Sequence, residues 1–272
     1  MEIFIPIGTG SQDNWELRFH LRSLEKHLKS QFKATILGEQ GVSIPWLNNA
    51  FYVDVTRFYP DFLEEKNNGI RYMENFYCTL AKYKWLVSQD WCPETFVIAY
   101  DDQLLVKDIC DFGSFEALAL CRETKIPRRP TRHERTIIKA IELDKTRKPT
   151  SYVYNYETHG YRVIERDKMR MMFNLFPFES LDVPYAPFTL YNNLFFERPN
   201  KILNDTEEDI ISYLHFDSDG RHHYIATRPI DMDEIAESST MLSYNDLGLK
   251  ACSQLVKHWT ETRFPDKSKF EK

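Results

Sequence analysis

Apolar residues fall into short unbroken runs and into longer stretches spaced three and four apart, and the two patterns alternate along the first half of the chain. Glu2 to Ile7 opens as a run of strand length and gives way to the polar stretch Gly8-Thr9-Gly10-Ser11-Gln12-Asp13. From about Asn14 to Lys29, Leu17, Leu21, Leu24 and Leu28 recur at spacings of 4, 3 and 4, which puts them on one face of a helix. Ala34 to Leu37, closed by Gly38, and Phe51 to Val55 have the length and composition of two more strands. Arg71 to Val87 returns to the helical period, with Met73, Phe76, Tyr77, Leu80 and Val87 on its inner side. Phe96 to Tyr100 is a run with no charge to place in water, and Ala117 to Leu120 is a further short strand. Strand and helix in alternation predict an α/β fold, a Rossmann-like and mostly parallel sheet flanked by helices.

The second half is less regular. Tyr213-Leu214 and Tyr224-Ile225-Ala226 flank the turn residues Ser218-Asp219-Gly220, a pattern that predicts a small hairpin. The histidines and aspartates between Tyr213 and Tyr224 also have metal-donor chemistry, although the turn accounts for them more simply. A last helix is expected from about Leu249 to Thr260. With 42% hydrophobic and 14% aromatic residues, the composition is that of a folded globular chain. No stretch approaches the ~20 apolar residues of a membrane span, and the N-terminus carries no basic leader. Five cysteines, an odd number without a C-x-x-C pair, fit reduced and mostly buried thiols in a cytoplasmic protein.

Charge adds a second layer. The net charge is −6, yet ten basic residues face four acidic ones between Arg122 and Lys148, so the rest of the chain is strongly acidic. A basic segment of this kind suits a pyrophosphate, an acidic acceptor or peripheral contact with an anionic membrane surface through 122–148, or is a solvated loop and helix face. Nucleic acid is not expected as a partner, since no fingerprint of a nucleic-acid module appears. Asp101 and Asp102 end the 96–100 strand, where open α/β sheets bind ligands. Two adjacent carboxylates repel each other, and a bound Mg²⁺ or Mn²⁺ relieves that cost; an Asp-rich turn or helix cap is the plainer alternative. Gly8, Thr9 and Gly10 follow a strand and precede a helix, as a donor-contacting turn would, but Asp13 occupies the third glycine position of a dinucleotide fingerprint. Arg18 and Arg22, one turn apart on a helix face, have the geometry to clasp a diphosphate or to form ion pairs with Glu16 or Glu25. Asn192, within the aromatic run from Phe188 to Phe196, is a polar candidate for an acceptor pocket.

Several separated segments, taken in order, resemble the Stealth proteins. These are Asn14-Trp15-Glu16-Leu17-Arg18-Phe19-His20-Leu21-Arg22-Ser23-Leu24-Glu25, Pro45-Trp46-Leu47-Asn48, Tyr100-Asp101-Asp102-Gln103-Leu104-Leu105, Asn155-Tyr156-Glu157-Thr158-His159-Gly160, Ser243-Tyr244-Asn245-Asp246 and Phe264-Pro265-Asp266-Lys267-Ser268-Lys269-Phe270-Glu271. Members of that family make capsule and cell-wall polysaccharides by transferring a sugar 1-phosphate from a nucleotide-sugar. The broader class to which the pattern is similar is the metal-dependent glycosyltransferase of GT-A type.

The resemblance implies a single transferase domain over residues 1–272, with a nucleotide-sugar half at 1–121, a basic connection at 122–150 and an acceptor-side half at 151–272. It implies a nucleotide-sugar donor, a glycan acceptor, and Mg²⁺ or Mn²⁺ held by Asp101 and Asp102 against the donor pyrophosphate. His159 would take the proton of the acceptor hydroxyl or steady a transferred phosphoryl group. Asn245 and Asp246 would reach the metal or an acceptor hydroxyl, or simply cap the helix that follows. Transfer of a sugar 1-phosphate, transfer of the sugar alone, and binding without turnover on a degenerate transferase fold are the three functions this pattern allows.

Overall fold

The computed structural model describes residues 1–8, 14–39, 42–48, 51–55, 73–119, 121–122, 130–148, 153–158, 160–203, 211–214, 229–244 and 246–272. Along the chain its elements are β1 (Glu2–Pro6), α1 (Trp15–His27), β2 (Lys33–Gly38), β3 (Tyr52–Asp54), α2 (Glu74–Ser88), β4 (Thr95–Ile98), β5 (Gln103–Leu105), β6 (Leu118–Ala119), β7 (Cys121–Arg122) and α3 (Arg132–Lys145). There follow β8 (Tyr154–Asn155), β9 (Arg162–Glu165), α4 (Arg166–Leu175), α5 (Pro187–Phe195), β10 (Lys201–Ile202), β11 (Ile211–Leu214), α6 (Pro229–Ser238), β12 (Met241–Tyr244) and α7 (Asp246–Arg263).

The main sheet has the order β3-β2-β1-β4-β9. Its first four strands are parallel, and β9 closes the edge antiparallel to β4. This is the mostly parallel, helix-flanked α/β sheet that the alternating pattern predicts. Alternate side chains leave it on opposite faces, because successive Cβ atoms of a strand point to opposite sides. Ile3, Ile5, Ala34, Ile36 and Val97 pack with Leu17, Leu21 and Leu24 of α1, while Phe4, Leu37, Phe96 and Ile98 pack with Tyr77, Leu80 and Ala81 of α2. Each fully buried leucine of this kind contributes roughly 2 kcal/mol. Asn14, expected as the first helical residue, is the N-cap of α1: it takes a left-handed backbone (φ 35°), which asparagine tolerates, and its side chain accepts from Leu17 N at 3.3 Å.

A smaller sheet, β11-β12-β5, lies beside α1 and is covered by α6 and α7 through Phe19, Leu104, Leu242, Val256 and Trp259. β5 comes from the first half of the chain, whereas β9, from the second half, sits in the main sheet. The two halves therefore interlace. Most of the expected hairpin, 215–228, lies outside the described residues; its first strand, Tyr213-Leu214, belongs to β11 and pairs in parallel with β12. The last helix begins at Asp246, three residues before the expected start. Among the described residues, no helix is long and apolar enough to cross a membrane. Cys78 and Cys92 are buried, and Cys110 is exposed.

The C-terminal segment is strapped over α1. Arg22 Nε and Nη2 donate to the two carboxylate oxygens of Glu271 at 2.7 and 2.8 Å, and its Nη1 donates to the carbonyls of Phe264 and Pro265. Asn48 N donates to Phe270 O and Lys272 N to Trp46 O, both at 2.8 Å, so the 45–48 turn is stitched to the same segment. Three of the blocks that carry the sequence resemblance thus meet in space.

Candidate active site

The direction of the chain reverses between β1 and β4. From β1 it proceeds outward through β2 to β3, then returns to place β4 on the other side of β1. Crevices at such a switch point, beyond the carboxyl ends of the strands, are where open α/β sheets bind ligands. Two segments flank this one. After β1 comes Gly8, where a Cβ would meet nothing within 4 Å; after β4 comes the turn Tyr100-Asp101-Asp102. That turn is held at both ends. Tyr100 N donates to Gln103 Oε1 at 3.0 Å, and Gln103 starts β5, paired with Ser243 of β12. His20 Nδ1 lies 2.5 Å from Gln103 O, and because a carbonyl only accepts, the ring must carry its proton on Nδ1. Burial keeps His20 neutral, lowering its pKa to about 4 against the raising effects of Gln103 O and the Asp102 charge.

The turn opens onto a cavity of about 290 Å³. Asp101, Asp102, Glu157 and Thr158 line it, and α2 and α3 supply Phe76, Thr79, His133 and Thr136. Phe76 and His133 stack, with ring centroids 6.3 Å apart and planes at 26°. Tyr185 closes the wall, its hydroxyl donating to Phe176 O at 3.0 Å. Glu157 is fixed by the first turn of α5, since its Oε1 accepts from Phe188 N at 3.0 Å and Thr189 N at 2.9 Å. Behind this wall Arg162 is buried, donating to the side chain and carbonyl of Thr158 with its guanidinium 5.1 Å from the Phe188 ring. Burial, reinforced by the Glu157 charge and opposed by Arg162, pushes the Tyr100 hydroxyl well above its ordinary pKa, so it is a neutral phenol at working pH.

The two aspartates offer hard oxygen donors at the mouth of the cavity. Among the described residues no group of three or more His, Cys, Asp and Glu side chains is close enough to hold a metal ion. A protein site of one or two carboxylates still fits Mg²⁺ or Mn²⁺, because such ions commonly complete their shell with substrate phosphates and water.

No protein-family model matches the chain, and no curated protein matches it. Among solved structures it is similar to the galactosyltransferase LgtC in complex with donor and acceptor sugar analogs, at 14% identity over 96% of each chain and a TM-score of 0.48. It is also similar to mouse xyloside xylosyltransferase 1 in its apo form, at 10% identity over 90% of this chain and 98% of that one, TM-score 0.45. A third likeness is to the apo WbbM bifunctional glycosyltransferase, at 10% identity and TM-score 0.42, where the match covers 89% of this chain and 45% of that one.

The structure separates the expected site residues into three groups. Asp101, Asp102 and Gly8 lie at the switch point, with the aspartates in the cavity wall. Thr9, Gly10, His159 and Asn245 lie outside the described residues, although Thr158 lines the cavity and Tyr244 ends β12 beside the start of β5. Asp246 is the first residue of α7. The third group is turned away. Arg22 is committed to Glu271, and Arg18 lies 3.7 Å from the same carboxylate with its guanidinium 4.9 Å from the Trp46 ring, so the expected diphosphate clasp is a structural clamp. The partner is Glu271, not Glu16 or Glu25. Asn192 is buried and donates to Phe188 O at 2.9 Å, a bond within its own helix that takes it out of an acceptor pocket. The basic segment is partly structural too: Lys148 donates to the carbonyls of Asn193 and Leu194 at 3.2 Å.

Glu157, His133, Thr136 and Tyr185 are among the cavity residues that sequence reasoning did not propose for the site. For Glu157 a signal existed, since it stands within the Asn155 to Gly160 block. The contact between His133 and Phe76 joins two helices distant in sequence and leaves no local trace.

Proposed function

We propose that the chain is a transferase that takes a nucleotide-sugar as donor and a glycan as acceptor, working in the cavity beside the Tyr100-Asp101-Asp102 turn. The observation that carries this reading is that two carboxylates and a cavity coincide with the reversal of strand order between β1 and β4, next to Gly8. Asp101 and Asp102 would hold a divalent cation against the donor pyrophosphate. Bound there, Mg²⁺ or Mn²⁺ would neutralise charge growing on the departing phosphate. The anchored turn keeps the two carboxylates in place, because Gln103 is held from the side by His20, Ser243 and Tyr100 N. The wall built from Phe76, His133, Tyr185 and Thr136 would narrow the water available to the donor. His159, directly after Thr158, and Asp246 are proposed as the remaining polar groups on the acceptor side.

The cleaved bond defines the finer reaction. Attack at the anomeric carbon releases a nucleoside diphosphate, and attack at the phosphorus next to the sugar releases a nucleoside monophosphate. The sequence resemblance supports the second, and the first is the broader alternative. Incubating the protein with Mn²⁺ and a panel of nucleotide-sugars, then separating the nucleotides by chromatography, tests both. Release of a mono- or diphosphate is the expected result. Nucleotide-sugar bound but never cleaved, with any acceptor glycan supplied, would instead mark a binding protein.

A further inference from the structure

Resting on that reading, we infer that the cavity seats a neutral hexose of the donor, with Glu157 accepting hydrogen bonds from its hydroxyls, and that it discriminates against sugars carrying a carboxylate. Three observations carry this. The first is the fixed carboxylate. Oε1 of Glu157 accepts two backbone N–H groups of α5, which locks the side chain and leaves Oε2 as the oxygen to face the cavity that the residue lines. A carboxylate immobilised in this way recognises hydroxyls without losing side-chain freedom on binding.

The second is separation. Glu157 and the two aspartates share one cavity, but the three do not come close enough to hold one ion. Glu157 is therefore a carboxylate of the cavity that does not share one ion with both aspartates. The third is the character of the walls. Phe76 stacked on His133, with Tyr100 and Tyr185, offers aromatic surface for the apolar faces of a sugar ring. No lysine or arginine is among the described residues lining the cavity, whose acidic members are Asp101, Asp102 and Glu157. Arg162 lies behind Thr158 and Phe188 and donates to Thr158. A sugar carboxylate would meet the like charge of Glu157, whereas hydroxyls find an acceptor there. The volume of about 290 Å³ is at the small end of ligand sites, suited to a single ring.

The test is calorimetric binding in the presence of Mn²⁺, which needs no acceptor. UDP, GDP, ADP and dTDP are measured first; the tightest is then compared as its hexose and its hexuronate conjugate, for example UDP-glucose with UDP-glucuronate. The hexose conjugate should bind at least about tenfold more tightly. In Glu157→Gln, hexose affinity should fall roughly tenfold to a hundredfold and the gap to the hexuronate should narrow, with free nucleotide affinity unchanged. Glutamine retains an oxygen for Phe188 N and Thr189 N, so the thermal midpoint should stay within a degree or two of wild type. Equal or tighter hexuronate binding, or hexose affinity unaffected by Glu157→Gln, would overturn the subsite while leaving the transferase reading intact. A protein that binds none of the nucleotides or conjugates would overturn both.

Discussion

Two charged pairs with similar prominence in the sequence end in opposite situations. Asp101 and Asp102 finish a strand at the switch point and line a cavity, whereas Arg18 and Arg22 are closed over by the C-terminal segment. Both pairs sit where a charged donor would be sought, and both are flanked by motif-like residues. What separates them is the remainder of the chain. Glu271 arrives from the far end of the sequence, 3% exposed, and fills both oxygens with the guanidinium of Arg22. Burial alone would raise the Glu271 carboxyl, yet Arg22, Ser268 N and Arg18 together bring it below its ordinary value. A charge pattern along a helix states what could be bound, and the tertiary partner decides whether anything external is.

The contrast can be broken most forcefully from the cavity side. Asp102→Asn should lower donor turnover by about a hundredfold to a thousandfold, with a thermal midpoint close to wild type. Comparable turnover in this variant would move the cation, and the chemistry, elsewhere. The mirror experiment is Arg22→Met. It leaves the 3%-exposed Glu271 side chain without its main cation and should cost about 2–4 kcal/mol in denaturant unfolding, while nucleotide affinity stays within twofold. If affinity collapsed without loss of stability, Arg22 would belong to the site after all.

A third, smaller effect lies between the two regions, because His20 is on α1 yet bonds to Gln103 just after the aspartates. Its folded pKa of about 4 lies below its ordinary 6.5. Between those values the unfolded chain holds the extra proton, so stability should rise as pH climbs from about 4 to 6.5 and be lost as pH falls. The contribution is up to about 3 kcal/mol. Thermal midpoints across this range in wild type and His20→Gln should show the slope flattened in the variant; parallel curves would assign the acid sensitivity to other groups.

Much of the scaffold was legible. The leucine spacing of α1, the charge-free run of β4 and the aspartates at its end all followed from local sequence, since helix and strand periods are set by near neighbours. β4 is shorter than the run suggested, ending at Ile98, because Tyr100 turns to bond Gln103. The illegible parts depend on distant contacts. Nothing near Arg22 announces Glu271, and nothing near Asn192 announces that its amide will serve a carbonyl of its own helix. Glu157 shows the same limit from the other side. Its value as a fixed acceptor depends on two amides of α5, and a sequence shows neither their position nor their direction.

The pairing of β5 with β12 also bears on how the protein comes into being. Gln103, the residue after the paired aspartates, takes Ser243 as its sheet partner, and Leu104 takes Leu242. A ribosome reaches those partners well after β1 and β4 have emerged, because β12 follows them far along the sequence. Pairings so remote in sequence are slow to form, because loop closure must precede any gain from contact. The nascent chain would carry its two aspartates in an unfinished loop until β12 is synthesised, so a polypeptide truncated before residue 241 should hold a sheet but no assembled turn.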